Sequence, residues 1–352
     1  GLVVRGHGRH YLVEADDGSR LLCHVRGKKS ELVVGDRVSF AASGDEGVIE
    51  RQEPRRNLLY RQDVWKTKSF AANIDQMLVL VAVDPVFSES QLARALIAAE
   101  SAGIRTAIAL NKTDLPGTPE AKERLAPYRA MGLPVFEVAL KADPAGSRAT
   151  LLPWLHGQHS FVLGPSGTGK STLINLLVPD AQAQVGEISE ALNSGRHTTT
   201  HTQWYWLDDG PHPAGTQAAP QGGEQVGLGS GPATDLPPAR RTALIDSPGF
   251  QEFGLQQIAP PDLARWMPDL REHLGHCKFH NCSHQHEPGC GVIAAVEAGQ
   301  IAGSTARSWR SWAPSAGNAA TLPESASDVA PDVAQQSAPN LRGAWLSQRT
   351  LR

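Results

Sequence analysis

Gly164-Pro165-Ser166-Gly167-Thr168-Gly169-Lys170-Ser171 combines what a polyphosphate site needs: backbone free to turn its N–H groups inward, a long cation and a hydroxyl. The spacing is G-x-x-x-x-G-K-[ST] in full. The apolar run Phe161-Val162-Leu163 precedes it and a helical run, Thr172 to Leu177, follows, so the segment reads as strand, loop and helix. The helix N-terminus adds partial positive charge where phosphate oxygens would sit. Lys170 is expected on the β- and γ-phosphates, Ser171 on Mg²⁺, and the segment Gly164 to Thr172 around the nucleotide.

Asn111-Lys112-Thr113-Asp114 follows the apolar run Thr106 to Leu110, at the end of a strand where ligands bind in parallel sheets. The Asp114 carboxylate can accept both hydrogens of guanine N1 and N2. Adenine offers neither, and a site built for such a bond can reject the wrong base by ~10⁴-fold. Asn111 suits either the O6/N7 edge of the base or a tie to the phosphate loop, and the stem of Lys112 can lie on the base plane. Thr113 completes the loop. A third element, Asp246-Ser247-Pro248-Gly249, follows the strand Ala243-Leu244-Ile245; Asp246 is expected at Mg²⁺ and the Gly249 N–H at the γ-phosphate. A fourth, Gly195-Arg196-His197-Thr198-Thr199-Thr200, offers hydroxyls for Mg²⁺. Thr199 is the choice here, with Thr198 and Thr200 as competitors. Phe250 stands where many GTPases carry a water-orienting Gln. His197, beside the threonines, is the candidate to take over that catalytic task with Lys170.

Cys277-x4-Cys282-x-His284-x5-Cys290 offers three thiolates and an imidazole, a complete tetrahedral set for structural Zn²⁺. His280 and His286 are alternatives to His284. A closed set leaves no open position for chemistry, so its expected role is structure and docking. Cys23, alone in a barrel strand, reads as a small buried hydrophobe.

Those groups must be held by elements that the rest of the chain supplies. With 352 residues, two or three domains are expected. The formal net charge of −3 excludes a uniformly basic, histone-like protein, although residues 1–68 carry 13 Lys/Arg against 10 Asp/Glu. The longest apolar run, Met77 to Val83, is far short of the ~18 residues of a membrane span. No charged segment followed by an apolar stretch opens the chain, so no secretory signal is expected. A cytoplasmic monomer with no membrane partner follows.

Residues 1–68 read as short strands between Gly/Asp/Ser turns, which predicts an OB-type β-barrel, with an SH3-like barrel as the competing arrangement. From Ile74 the rhythm changes to alternating buried strands and helices: strands at 77–83, 106–110, 135–140 and 160–163, and a helix over 90–102. The expected division is a barrel over 1–68, an α/β GTP-binding domain with a parallel sheet over 69–256, a zinc-binding helical segment over 257–312 and a disordered tail over 313–352. Residues 208–239, with 7 Gly, 6 Pro and no aromatic residue, predict a flexible insertion between strands 203–207 and 242–245. Residues 51–70 hold 6 basic and 2 acidic residues. Arg51, Arg55, Arg56, Arg61, Lys66 and Lys68 are the candidate RNA-binding cations, with a solvated linker as the bland alternative.

The base-reading loop precedes the phosphate loop, and Asp246 comes last. Ordinary GTPases carry these parts in the rotated order, and joining the termini and opening the chain elsewhere accounts for the change. On these motifs the chain resembles the circularly permuted, ribosome-associated GTPases of small-subunit biogenesis, over roughly residues 5–310. Cys277-Lys278-Phe279-His280-Asn281-Cys282-Ser283-His284 with Glu287-Pro288-Gly289-Cys290, and Gly195 to Thr200, carry it most specifically. The resemblance selects His284 as the fourth zinc ligand and implies a hydrolytic role for His197. It also implies a GTP/GDP cycle, stimulation by the small (30S) subunit, rRNA binding and a part in late 30S maturation. One departure is Ala139, which lacks the hydroxyl of the family's guanine-supporting turn. The main expectation is a GTP hydrolase. The alternative is an RNA-binding switch or assembly placeholder in which hydrolysis only resets binding; an ATP-dependent zinc protein acting on DNA is disfavoured by Asn111 to Asp114.

Overall fold

The computed structural model describes residues 1–26, 31–44, 46–63, 66–179, 181, 202–207, 241–247, 255, 258 and 260–301. The expected insertion at 208–239 and the tail after 312 lie outside these, as do His197, Thr198, Thr199, Thr200, Gly249 and Phe250. Residues Gly1–Ala313 make one compact unit.

Apolar β-branched runs bounded by turns give the central strands: β8 (Gln76–Ala82), β9 (Arg105–Asn111), β10 (Val135–Glu137), β11 (His159–Leu163) and β13 (Ala243–Asp246). All pair in parallel, in the order β10-β9-β8-β11-β13. Every residue of β8 is buried, as a strand covered on both faces requires. Strand β12 (Gln203–Trp206) adds antiparallel to β13. Helix α1 (Glu89–Ser101) starts where the Ser88 hydroxyl accepts the Gln91 N–H at 3.3 Å. Sequence periodicity missed α2 (Thr118–Ala130) and α3 (Pro144–Leu155), each of which carries a proline inside. The Asp143 carboxylate starts α3 by accepting the Gly146 N–H at 2.9 Å. Helix α4 (Lys170–Leu177) follows the phosphate loop and buries Leu173, Ile174 and Leu177.

The N-terminal strands are β1 (Leu2–His7), β2 (His10–Glu14), β3 (Arg20–Val25), β4 (Val38–Ser43) and β5 (Glu46–Gln52). Their order is β1-β2-β3-β5-β4, with β3 and β5 parallel. Gly1 and Val38 exchange hydrogen bonds and Leu2 bridges Arg37, which closes the row on itself. Inside lie Val3, Tyr11, Val13, Cys23, Val38 and Ile49. Burial pushes the Cys23 thiol up to about 11, in keeping with a packed, inert side chain. Strand β1 also pairs with β12 at Arg5 and Gln203, so barrel and parallel sheet are one continuous sheet. Glu14, buried, accepts Trp206 Nε1 at 2.6 Å across that seam and pairs within the barrel with Arg20 at 2.9 Å.

A hairpin, β6 (Leu58–Asp63) with β7 (Lys66–Ala72), follows the barrel. The expected boundary at 68 falls inside β7. Arg55 does not serve as an exposed cation. It is 18% exposed and forks onto the fully buried Asp36 at 2.7 and 2.8 Å, because a buried carboxylate needs a cation and Arg55 is positioned to supply it. Arg56 is held by Asp75 at 2.8 Å. Arg51 and Arg56 are both exposed, Arg56 while engaged by Asp75, and only Arg55 of the three is withdrawn from the surface.

After β13 the chain forms a 3-10 turn (Pro260–Trp266), the short α5 (Pro268–Arg271), a second turn (Leu274–His276) and α6 (Gly291–Glu297). Helix α6 stops at Glu297, where Gly299 adopts a φ of 72° just past its end. Ile258, Leu263, Met267 and Leu270 bury themselves with Ile97 of α1, and Arg271 pairs with Glu100 of the same helix at 2.9 Å.

Candidate nucleotide and metal sites

The phosphate loop leaves β11 and enters α4 as its spacing requires. At Gly169 the φ is 106°, and a Cβ there would stand 2.4 Å from Asn111 Nδ2. A Cβ on Gly164 would stand 2.4 Å from the Leu80 carbonyl. Both positions therefore need glycine. The Thr168 hydroxyl, buried, donates to the Pro165 carbonyl at 2.9 Å and braces the loop from within. The Lys170 ammonium lies along the loop, donating to Gly164 O at 2.5 Å and Pro165 O at 3.0 Å. Burial lowers its pKa, and the charge of Asp246 partly offsets this. A half-buried cation at a helix N-terminus is the chemistry that an anionic phosphate satisfies. Ser171 is exposed on the first turn of α4, with Thr172 half-buried behind it. Asp246 ends β13, 5% exposed, and the Ser247 hydroxyl donates to Val162 O at 2.9 Å, holding that strand end against β11.

Asn111 resolves its two readings in favour of the tie. Its Nδ2 donates to Thr168 O at 2.8 Å, and its Oδ1 accepts the Leu140 N–H at 3.0 Å. One buried amide thereby locks the phosphate loop to both the base loop and the Val138–Leu140 turn. Lys112 takes a left-handed φ of 63°, and its ammonium donates to the Asp84 carbonyl. That sharp turn sends Thr113 back to Val138 O, reached by its N–H at 3.2 Å and its hydroxyl at 3.1 Å. Asp114 is left exposed at the loop's outer edge, where a base can meet it. Sequence reasoning missed Ser147. Its hydroxyl, on the buried face of α3, accepts the Ala139 N–H at 3.1 Å and fixes the turn where Ala139 itself offers no hydroxyl. No local motif marks Ser147; only the fold brings it to that turn.

Cys277, Cys282, His284 and Cys290 come together, with ligand atoms all within 4.8 Å of one another. His284 Nδ1 is 3.4 Å from Cys277 Sγ and 3.5 Å from Cys290 Sγ, and those two sulfurs are 4.0 Å apart. A tetrahedral ion bonded at zinc's usual lengths implies S···S and S···N edges of about 3.8 and 3.6 Å. The set fits such an ion. Burial lowers the His284 pKa, which favours the neutral imidazole that ligates metals. Burial, with the neighbouring thiols, pushes Cys282 up to about 12, a cost that a bound cation reverses. Among the described residues His280 and His286 do not join this cluster. Glu287 braces the loop: its carboxylate accepts the Ser283 N–H at 2.8 Å, the Ser283 hydroxyl at 2.5 Å and the Gln285 N–H at 3.1 Å. Desolvation pushes its carboxyl upward, but those bonds outweigh it and hold the group well below the usual carboxylate range.

The chain meets its base loop on β9 before its phosphate loop on β11, and the Asp246 strand last, although all three strand ends lie in one parallel sheet. These features define a circularly permuted P-loop GTPase. Comparison with known proteins narrows the class. The family described as RsgA GTPase matches residues 52–212. The chain is 57% identical over 299 residues to the small ribosomal subunit biogenesis GTPase RsgA of Variovorax paradoxus (strain S110), covering 85% of each chain. It is 50% identical over 305 residues to the protein of that name from Burkholderia pseudomallei (strain K96243), covering 86% of this chain and 87% of that one. Among solved structures, YjeQ from Thermotoga maritima superposes with a TM-score of 0.63 at 28% identity, covering 88% of this chain and 95% of that one. YloQ, a circularly permuted GTPase, shares the fold with a TM-score of 0.59 at 24% identity, covering 88% of this chain and 91% of that one. The chain belongs to the RsgA GTPase family and is a GTP-hydrolysing enzyme.

Proposed function

We propose that this chain hydrolyses GTP when it engages the small ribosomal subunit, and that it binds rRNA there in late subunit maturation. The observation that carries the GTP reading is Asn111, whose amide joins phosphate loop, base loop and the Val138–Leu140 turn in one buried set of bonds. The subunit reading is supported by the name that both relatives carry.

In this reading Asp114 selects guanine, Lys170 and the α4 N-terminus take the β- and γ-phosphates, and Ser171 with Asp246 and Thr199 would hold Mg²⁺. Held there, Mg²⁺ would supply positive charge against the negative charge that develops on the phosphate oxygens. Gly249 would read the γ-phosphate, and His197 would orient the attacking water where Phe250 offers no hydrogen bond. Because Phe250 removes the usual water-orienting amide, basal hydrolysis is expected to be slow, and partner-completed sites gain ~10³–10⁵ in rate.

The N-terminal barrel is assigned as OB-type. Its strand order, its closure between Gly1 and Val38 and its parallel β3–β5 pair support this over the SH3-like alternative. The Cys₃His cluster is assigned to one structural Zn²⁺, held by Cys277, Cys282, His284 and Cys290. The three-domain division, a monomeric state and a cytoplasmic location belong to the same reading. Among the described residues no helix is long and apolar enough to cross a membrane.

The test is hydrolysis of GTP and ATP in parallel, with and without purified small subunits. Turnover of GTP alone, rising at least 100-fold with subunits, is the expected result. Equal ATP turnover would sink the base assignment, and indifference to subunits would sink the partner.

A further inference from the structure

One register row crosses the seam between the parallel sheet and the barrel. Val162 of β11 stands opposite Asp246 of β13, Asp246 opposite Gln203 of β12, and Gln203 opposite Arg5 of β1. Residues directly opposite one another in a sheet share a face. The carboxylate at the nucleotide site, a buried amide and a guanidinium from the barrel therefore lie in line. At ~4.8 Å per strand, the Cα atoms of Arg5 and Asp246 are about 10 Å apart.

Arg5 is 8% exposed and Gln203 4%. The Nε and Nη1 of Arg5 and the Nε2 of Gln203 are buried with no hydrogen-bond partner. Buried cations are ordinarily paired and hydrogen-bonded, so a guanidinium left with unmet donors is costly to the fold. Desolvation lowers the Arg5 pKa, and burial pushes the Tyr205 phenol up to about 12, with Asp246 adding to the rise and Arg5 opposing it. Tyr205 lies two residues along β12 from Gln203, on the same face, as a buried neutral phenol.

We propose that Arg5 is a positioning residue of the barrel that sets how tightly the Asp246 carboxylate holds Mg²⁺. The proposal rests on the GTPase reading above. A fixed cation near a carboxylate opposes a second cation there. For unit charges about 10 Å apart in protein surroundings the effect is on the order of tenfold. The seated barrel thus weakens the Mg²⁺ site, and any displacement of β1 from β12 relieves it. Among the described residues one register pair, Arg5 with Gln203, joins β1 to β12, whereas four join β12 to β13.

The test uses the full chain and a fluorescent GDP analogue, whose release is followed as Mg²⁺ is titrated. Arg5→Met keeps the stem and removes the charge, and Arg5→Lys keeps the charge. Arg5→Met is expected to lower the Mg²⁺ midpoint three- to tenfold, with release in chelator unchanged, while Arg5→Lys stays within twofold of the parent chain. Arg5→Gln repeats the neutral arm should the methionine variant fold poorly. An unchanged midpoint in the neutral variants, or an equal shift in Arg5→Lys, overturns the proposal and makes Arg5 a packing residue. Should the parent chain show no Mg²⁺-dependent retention of GDP at all, the Mg²⁺-dependent nucleotide reading itself fails.

Discussion

Asn111 reaches 57 positions along the chain to Thr168 and 29 to Leu140. The metal ligands Cys277 and Cys290 stand 13 positions apart, and their brace, Glu287, reaches back only four to Ser283. The nucleotide site is a long-range construction on the ends of a buried parallel sheet. The metal loop is local, half-buried and held by a carboxylate and the ligand set itself. A site of the first kind exists once the sheet has formed. A site of the second kind lacks enough apolar surface of its own, and the ion is expected to supply the missing free energy.

That contrast predicts unequal responses to metal removal. Structural zinc binding is worth ~10–16 kcal/mol in small domains, and under the zinc assignment proposed above that energy would fall on a lobe that packs on Ile97 and pairs with Glu100 of α1. Chelation, or Cys282→Ser, is expected to melt residues 260–301 while nucleotide affinity stays within threefold. Limited proteolysis beside a GDP-binding titration reads both. Loss of GDP binding on chelation would break the comparison, because it would make the metal loop part of the nucleotide site. The converse substitution is smaller in energy. Asn111→Ala strands the Thr168 carbonyl and the Leu140 N–H, each costing ~1–3 kcal/mol when buried without a partner. GDP affinity should fall by ~10²-fold or more with metal content unchanged, as measured by calorimetry and metal analysis. An Asn111→Ala chain that binds GDP normally would mean that the sheet alone sets the loops.

The two regions also differ in how far they could be read from residues alone. The phosphate loop, Asn111 to Asp114 and the Cys₃His set were legible because glycine, lysine, carboxylate and thiolate are required there by chemistry. The strands β8, β9 and β11 were legible because burial on both faces leaves continuous apolar runs. Helices α2 and α3 were not, since Pro127 and Pro153 stand inside them and break the local pattern that tertiary packing then overrides. Arg55 read as a surface cation because nothing local announces that Asp36, 19 positions earlier, lies buried beneath it. Ser147 and Arg5 were invisible for the same reason: each acts on a partner that only the fold brings near. The hairpin β6–β7 hid within a basic stretch whose charges drew attention away from its alternation.

Glu287 supplies the finest discrimination between the two regions. Ligand geometry in the metal loop is set in part by the bonds its carboxylate accepts from Ser283 and Gln285, which fix the chain on either side of His284. His284 itself takes a φ of 61°, a conformation that a non-glycine residue holds only when its surroundings impose it. Glu287→Gln keeps the shape, removes the charge and places an amine where one oxygen had accepted N–H groups, so the brace loosens while all four ligands stay. Substitutions behind a ligand set typically cost 10–100-fold in metal affinity. We expect a loss of about tenfold in competition with a chromogenic chelator, with basal GTP turnover unaltered because no atom of this loop belongs to the nucleotide site. An unchanged metal affinity would mean that the four ligands organise themselves, and the local scaffold would then consist of the ion and its ligands alone. A loss as large as that from Cys282→Ser would instead make the brace, and not the fourth ligand, the limiting element of the lobe.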